Sequence, residues 1–277
     1  MRLGAPLFAD TSTPQAWIAA LQKANYRAAY CPVGLDASED TIGAYAQAAR
    51  EADILIAEVG AWSNPLSPDK EERRAAIDQC QRSLDLAERI GAHHCVNIAG
   101  SRSTQWDGPH PDNMTEDTFE MIVDTTREII DAVSPTRTVY TLETMPWAYP
   151  DSPQMYLRLL HAIDRKGFGV HLDPVNLINS PKRYFNNAAF IRECFSLLGP
   201  HIYGVHAKDI TLRSHLTVHL DEVRPGEGGL DYRVLLEEMS NLSPDTPILL
   251  EHLPTEGDYD LAAAFVRQTG SDLGISL

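Results

Sequence analysis

The chain has 277 residues, 43% of them hydrophobic, with 23 Lys and Arg set against 39 Asp and Glu. That length and apolar content support a sizeable buried core, while a formal net charge of −16 opposes phosphate backbones and anionic membrane surfaces. No run approaches the roughly 20 apolar residues of a membrane span, and Met1 to Pro6 lacks the apolar stretch of a signal peptide. A cytoplasmic protein with neither nucleic-acid nor membrane partners is expected, with assembly into a homo-oligomer left open.

In chain order, a β-rich run Leu3–Phe8 precedes a helical pattern from Pro14 to about Ala24 and a second apolar run, Ala28–Val33. Further strands are expected at Ile54–Val59, Cys95–Ile98, Thr138–Leu142, Gly167–Leu172, Ile202–Val205 and Ile248–Leu250, each separated by enough chain for a crossover helix. Between them Ile77, Cys80, Leu84 and Ala87 share one helical face, and Phe119, Ile122, Ile129 and Val133 share another. Thr13-Pro14, Ser67-Pro68 and Ser152-Pro153 read as hydroxyl caps placed before a proline at the first helical position. Cys31, Cys80, Cys95 and Cys194 form no CxxC pair and read as reduced, mostly core thiols. No linker or repeat divides the chain. Eight strands in this length predict one α/β domain spanning residues 1–277, a single (β/α)8 TIM barrel; the lack of GxGxxG after the first strand argues against a doubly wound sheet.

In such a barrel the side chains at the carboxyl ends of the strands share one mouth. Four consecutive strands end in polar groups: Tyr140-Thr141-Leu142-Glu143, Val170-His171-Leu172-Asp173, Tyr203-Gly204-Val205-His206 and Leu249-Leu250-Glu251. Three carboxylates converging in a low-dielectric mouth repel one another, and a divalent cation is the simplest way to keep them ionised. Three carboxylates and one imidazole form a hard, thiolate-free set that favours Mn²⁺ or Mg²⁺ and also accommodates Co²⁺ or Zn²⁺. Strand alternation puts His171 on the face of Asp173 and Lys208 on the face of His206. His171 is expected to orient the ligands beside it. Glu58, ending an earlier strand, is expected to contact substrate or to pair with Lys208 or Arg224. The long loop after His206 carries Arg224-Pro225-Gly226-Glu227-Gly228-Gly229, whose glycines let backbone approach a ligand and whose arginine brings a charge. Trp62, Trp106 and Trp147 follow strands, where an indole can cover a sugar ring or close the mouth.

In the segments Leu142-Glu143, Leu172-Asp173, His206-Ala207-Lys208-Asp209, Arg224-Pro225-Gly226-Glu227-Gly228 and Leu249-Leu250-Glu251, in that order and at strand ends, the chain resembles the xylose-isomerase-like TIM barrels. That superfamily contains sugar isomerases, sugar 3-epimerases such as D-tagatose 3-epimerase, inosose dehydratase and endonuclease IV. The resemblance implies one metal held by Glu143, Asp173, His206 and Glu251, proton exchange with substrate through Glu143 and Glu251, and an Arg224 that binds a substrate oxygen. Many epimerases place a histidine three residues after the aspartate; this chain has Asn176 there, a neutral amide expected to bind a substrate hydroxyl. Endonuclease IV fits less well, because its three-zinc cluster needs histidines where this chain has Glu58, Asn97 and Asn176.

The expected activity is a metal-dependent isomerase or epimerase of a small polyhydroxy carbonyl compound, a ketose or inosose. Its carboxylates would move a proton through a metal-stabilised enediolate. The same intermediate can lose a β-hydroxyl, so an inosose-dehydratase-like lyase is the alternative, and a non-catalytic sugar-binding subunit is a third reading.

Overall fold

The computed structural model describes residues 1–277. Eight parallel strands, β1 (Arg2–Gly4), β2 (Ala28–Tyr30), β3 (Leu55–Gly60), β4 (His94–Asn97), β5 (Tyr140–Glu143), β6 (Phe168–Leu172), β7 (Ile202–Ala207) and, last in the chain, β10 (Pro247–Leu250), run in the order β1-β10-β7-β6-β5-β4-β3-β2. The two ends of that sheet meet where Arg27 N donates to Leu3 O at 3.0 Å, which nearly closes a (β/α)8 TIM barrel. Gly4 permits this seam, since a Cβ there would overlap the Ala28 carbonyl oxygen.

The first two strands are shorter than their apolar runs suggest, because Pro6 and Pro32 have no N–H to give to a ladder. Helices α1 (Pro14–Lys23) and α5 (Pro153–Ile163) begin at the expected caps, Thr13 accepting from Ala16 N and Ser152 from Met155 N. Helix α3 (Lys70–Ile90) does not start at Ser67-Pro68. Asp69 caps it instead, accepting from Glu71 N and Glu72 N at 2.8 and 2.9 Å, where a carboxylate also meets the positive end of the helix dipole. Its buried face carries Ile77, Cys80, Leu84 and Ala87, and that of α4 (Glu116–Val133) carries Phe119, Ile122 and Ile129. Helices α2 (Glu39–Glu51), α8 (Asn187–Leu198), α9 (Tyr232–Ser240) and α10 (Glu256–Asp272) complete the outer ring, with short α6 (Pro174–Leu177) and α7 (Pro181–Phe185) inserted after β6.

The segment after His206 is more ordered than a loop: β8 (Asp209–Leu212) and β9 (Leu220–Val223) pair as an antiparallel hairpin over the mouth. No helix is long and apolar enough to cross a membrane.

At the opposite end, the His93 imidazole lies 2.8 Å from Tyr203 O, and burial together with neighbouring His94 lowers its pKa from 6.5 to about 4. The folded state therefore resists protonation that the unfolded chain accepts. The stability this contributes is complete above pH 6.5 and is lost as pH falls towards 4, by about 1.4 kcal/mol per pH unit and about 3 kcal/mol in all. Urea unfolding between pH 6.5 and 4.5 should show a shallower pH slope for His93→Gln than for wild type; equal slopes would contradict this assignment.

Candidate metal centre

The carboxyl ends of β5, β6, β7 and β10 bring Glu143, Asp173, His206 and Glu251 together, one ligand-capable atom of each lying within 4.8 Å of the others. His206 Nδ1 faces Glu251 Oε1 at 2.9 Å and Glu143 Oε1 at 3.3 Å. Asp173 divides its two oxygens: Oδ1 caps α6, accepting from Val175 N at 2.9 Å and Asn176 N at 3.2 Å, which leaves Oδ2 facing the cluster. Lys208, 2% exposed, puts Nζ 2.6 Å from Glu251 Oε1 and 2.8 Å from Asp173 Oδ2. Neither oxygen is met along a hydrogen-bonding direction, and both remain without an aligned donor.

Three carboxylates and an imidazole around one point, two of whose oxygens lack a proper donor, fit a divalent cation well. Without an ion, protons and Lys208 carry the compensating charge. Burial lowers the His206 pKa, but Glu251, Glu58 and Glu143 outweigh it and hold the imidazole well above its usual value. Burial likewise opposes the charge on Lys208, and Asp173, Glu143 and Glu251 more than restore it. The two glutamates diverge. Burial raises Glu143, with His206 only partly offsetting it, whereas His206, Lys208 and His252 overcome burial at Glu251 and hold it below the carboxylate range.

Above the cluster opens a cavity of about 670 Å³ walled by Tyr30, Trp62, Trp106, Trp147 and Tyr259, with Glu143, Glu251, Lys208 and Asn176 at its floor. Asn176 Nδ2 donates to Glu143 Oε1 at 3.2 Å and to Thr144 O at 3.0 Å, so the amide steadies Glu143 as well as facing the cavity. Trp147 Nε1 donates to Asp107 O at 2.7 Å, which pins one indole wall.

Other expected residues lie elsewhere. Glu58, 1% exposed, makes no ion pair with Lys208 or Arg224. It faces His206 Nε2 at 3.3 Å and His94 Nε2 at 3.5 Å, because β3 and β4 bring both side chains to the barrel axis below the mouth. His171 lies there too but stays beside a ligand as expected, its ring 4.0 Å from that of His206 between centroids and its Nδ1 2.9 Å from His94 Nε2. Arg224 does not line the cavity; its guanidinium is held by Glu227 Oε1 at 2.6 Å and by Asp258 at 3.9 Å. The glycines beside it serve Asp209, whose carboxylate accepts from Gly226 N, Gly228 N and Leu230 N at 3.0, 3.0 and 2.9 Å. A Cβ at Gly228 would overlap that carboxylate. The glycine-rich backbone thus approaches the chain's own aspartate.

Asp209→Asn removes charge from an acceptor of several backbone N–H groups. It should cost about 2–3 kcal/mol in thermal or urea unfolding, and an unchanged melting temperature would refute the role.

Sequence reasoning missed two residues at the cavity rim, Glu222 on β9 and His252. His252 Nδ1 lies 3.2 Å from Glu222 Oε2, and its Nε2 lies 3.5 Å from Glu251 Oε2. His252 holds φ +58, a strained conformation for a non-glycine residue directly after Glu251. The adjacency of His252 to Glu251 was the one signal the sequence offered, and Leu220-Asp221-Glu222-Val223 carries no alternation that would mark Glu222.

The profile of the xylose isomerase-like TIM barrel family matches residues 18–269. The chain belongs to this family. No curated protein sequence matches it significantly. Among solved structures, D-psicose 3-epimerase from Clostridium cellulolyticum, in complex with D-tagatose, is 14% identical, with TM-score 0.70 and 100% of both chains covered. The probable 3-DHS dehydratase AsbF of Bacillus anthracis is 16% identical, with TM-score 0.71 over 96% of this chain and 98% of that one. Endonuclease IV of Thermus thermophilus is 12% identical, with TM-score 0.74 over 98% and 100%. At these identities the likeness is one of fold, and the family spans several chemistries.

Proposed function

We propose that this chain is a divalent-metal-dependent isomerase or epimerase of a small, uncharged polyhydroxy carbonyl compound of the ketose or inosose type. The observation that carries this reading is the meeting of Glu143, Asp173, His206 and Glu251 at the floor of a cavity with aromatic walls. A bound Mn²⁺ or Mg²⁺ would supply Lewis-acid polarisation of a carbonyl and its neighbouring hydroxyl.

The chain's own residues supply the rest. Glu143 and Glu251 are the two carboxylates placed to exchange protons with the carbon beside the carbonyl, one removing a proton from one face and the other delivering its own to the opposite face. Asn176 orients a substrate hydroxyl, Lys208 balances the charge of Asp173 and Glu251, and indole and phenol faces cover the C–H face of the ring while excluding water. Substrate charge is limited by the lining. No arginine reaches the cavity, its one lysine is already paired with carboxylates, and Asp107 and Glu222 add negative charge, so away from the metal and His252 the lining favours an uncharged group.

The test is incubation of Mn²⁺-loaded protein with a panel of ketoses and inososes in D₂O, followed by NMR. Deuterium entering the carbon beside the carbonyl, with an epimer or aldose–ketose isomer formed, is the expected result. A dehydrated product would instead establish the lyase. Binding without exchange for every compound would leave a sugar-binding protein and end the enzymatic reading.

A further inference from the structure

We propose a second, inner metal site on the barrel axis beneath the cavity floor, in which Glu58, His171 and His206 bind Zn²⁺. The His206 ring separates two clusters. Its Nδ1 faces Glu143 and Glu251, while its Nε2 points the other way, 3.3 Å from Glu58 Oε2. His94 Nε2 and His171 Nδ1 approach the same oxygen at 3.5 and 3.9 Å.

Three imidazole nitrogens thus surround one carboxylate oxygen, yet Glu58 Oε2 accepts no aligned hydrogen bond. His206 Nε2 and His171 Nε2 are also without partners, and all three side chains are at most 1% exposed. Buried polar atoms left unpaired in this way are uncommon and call for a ligand. The spacing suits an ion better than a hydrogen-bond network. One ligand-capable atom each of Glu58, His171 and His206 lies within 4.8 Å of the others, and tetrahedral zinc with bonds of about 2.0–2.1 Å sets its ligands roughly 3.4 Å apart. The contact between His94 Nε2 and His171 Nδ1 at 2.9 Å fixes the His171 ring.

Two imidazoles and one carboxylate form a familiar zinc donor set, whereas the oxygen-rich outer cluster suits Mn²⁺ or Mg²⁺. With both sites filled, His206 would present one nitrogen to each ion only after losing both ring protons, so loading metal would release protons to solvent.

The experiment loads metal-stripped, full-length protein with Zn²⁺, removes free ion by gel filtration and counts zinc per chain by mass spectrometry. A His215→Gln background keeps the exposed His215–His219 pair, with rings 4.1 Å apart, out of the count. Two zinc ions are expected, falling to one in Glu58→Gln, while Mn²⁺ bound at the outer site stays near one per chain by EPR. Co²⁺-loaded protein should show the intense visible bands of a four-coordinate ion, lost in Glu58→Gln. A single zinc in the parent protein, two zinc ions surviving Glu58→Gln, or only weak six-coordinate cobalt bands would overturn the proposal. Should Glu58→Gln fail to fold, the parent zinc count and cobalt spectrum decide the question by themselves.

Discussion

Glu251→Gln is expected to lower turnover by roughly 10²–10⁴-fold at saturating Mn²⁺ while the barrel stays folded. Gln keeps the volume and one carbonyl oxygen but cannot accept a proton from carbon. Its charge is also lost from a cluster in which Glu251 Oε1 faces both His206 Nδ1 and Lys208 Nζ. Metal occupancy is to be measured on the same sample, so that a missing ion is not mistaken for a missing base. Deuterium wash-in should fall in step with turnover. Full occupancy with turnover within tenfold of wild type would remove Glu251 from the proton-transfer step.

Lys208→Met should destabilise the metal-free protein by about 3–5 kcal/mol, because deleting one partner of a buried ion pair leaves uncompensated charge. The ammonium is the nearest positive group to Asp173 Oδ2 and lies within 2.6 Å of Glu251 Oε1, and the methionine chain retains its bulk. A divalent ion supplies the missing charge, so Mn²⁺ should raise the variant's melting temperature by much more than that of wild type. If the variant melts like wild type without metal, the lysine is not the counter-charge. If it melts early and Mn²⁺ gives no added recovery, the carboxylates do not share one cation site.

The sequence made the barrel readable because each strand is a short apolar run set off by an amphipathic helix of clear period, as in α3 and α4. The outer cluster was equally readable, since Glu143, Asp173, His206 and Glu251 are polar groups that end apolar runs, and a barrel must gather such strand ends at one mouth. What could not be read depends on distances across the axis. Glu58 and His171 meet His94 only because the closed sheet turns side chains of β3, β4 and β6 towards one another, and no local pattern gives the depth of a side chain along a barrel. The hairpin β8–β9 was hidden because its strands, Asp209–Leu212 and Leu220–Val223, are only four residues long and the second does not alternate polar with apolar, so Glu222 could not be placed at the rim. Arg224 shows the converse: its motif was visible, but its pairing with Glu227 three residues on was not.

The proposed chemistry depends on one ion held by Glu143, Asp173, His206 and Glu251. The most direct measurement is titration of metal-stripped protein with Mn²⁺, following the free ion by EPR, for wild type and for the double variant Glu143→Gln/Asp173→Asn. This site requires one tightly bound Mn²⁺ per wild-type chain and none in the double variant, with both proteins showing the circular dichroism of a folded α/β barrel. A wild-type protein that binds no Mn²⁺, or a double variant that binds it as tightly as wild type, would contradict it.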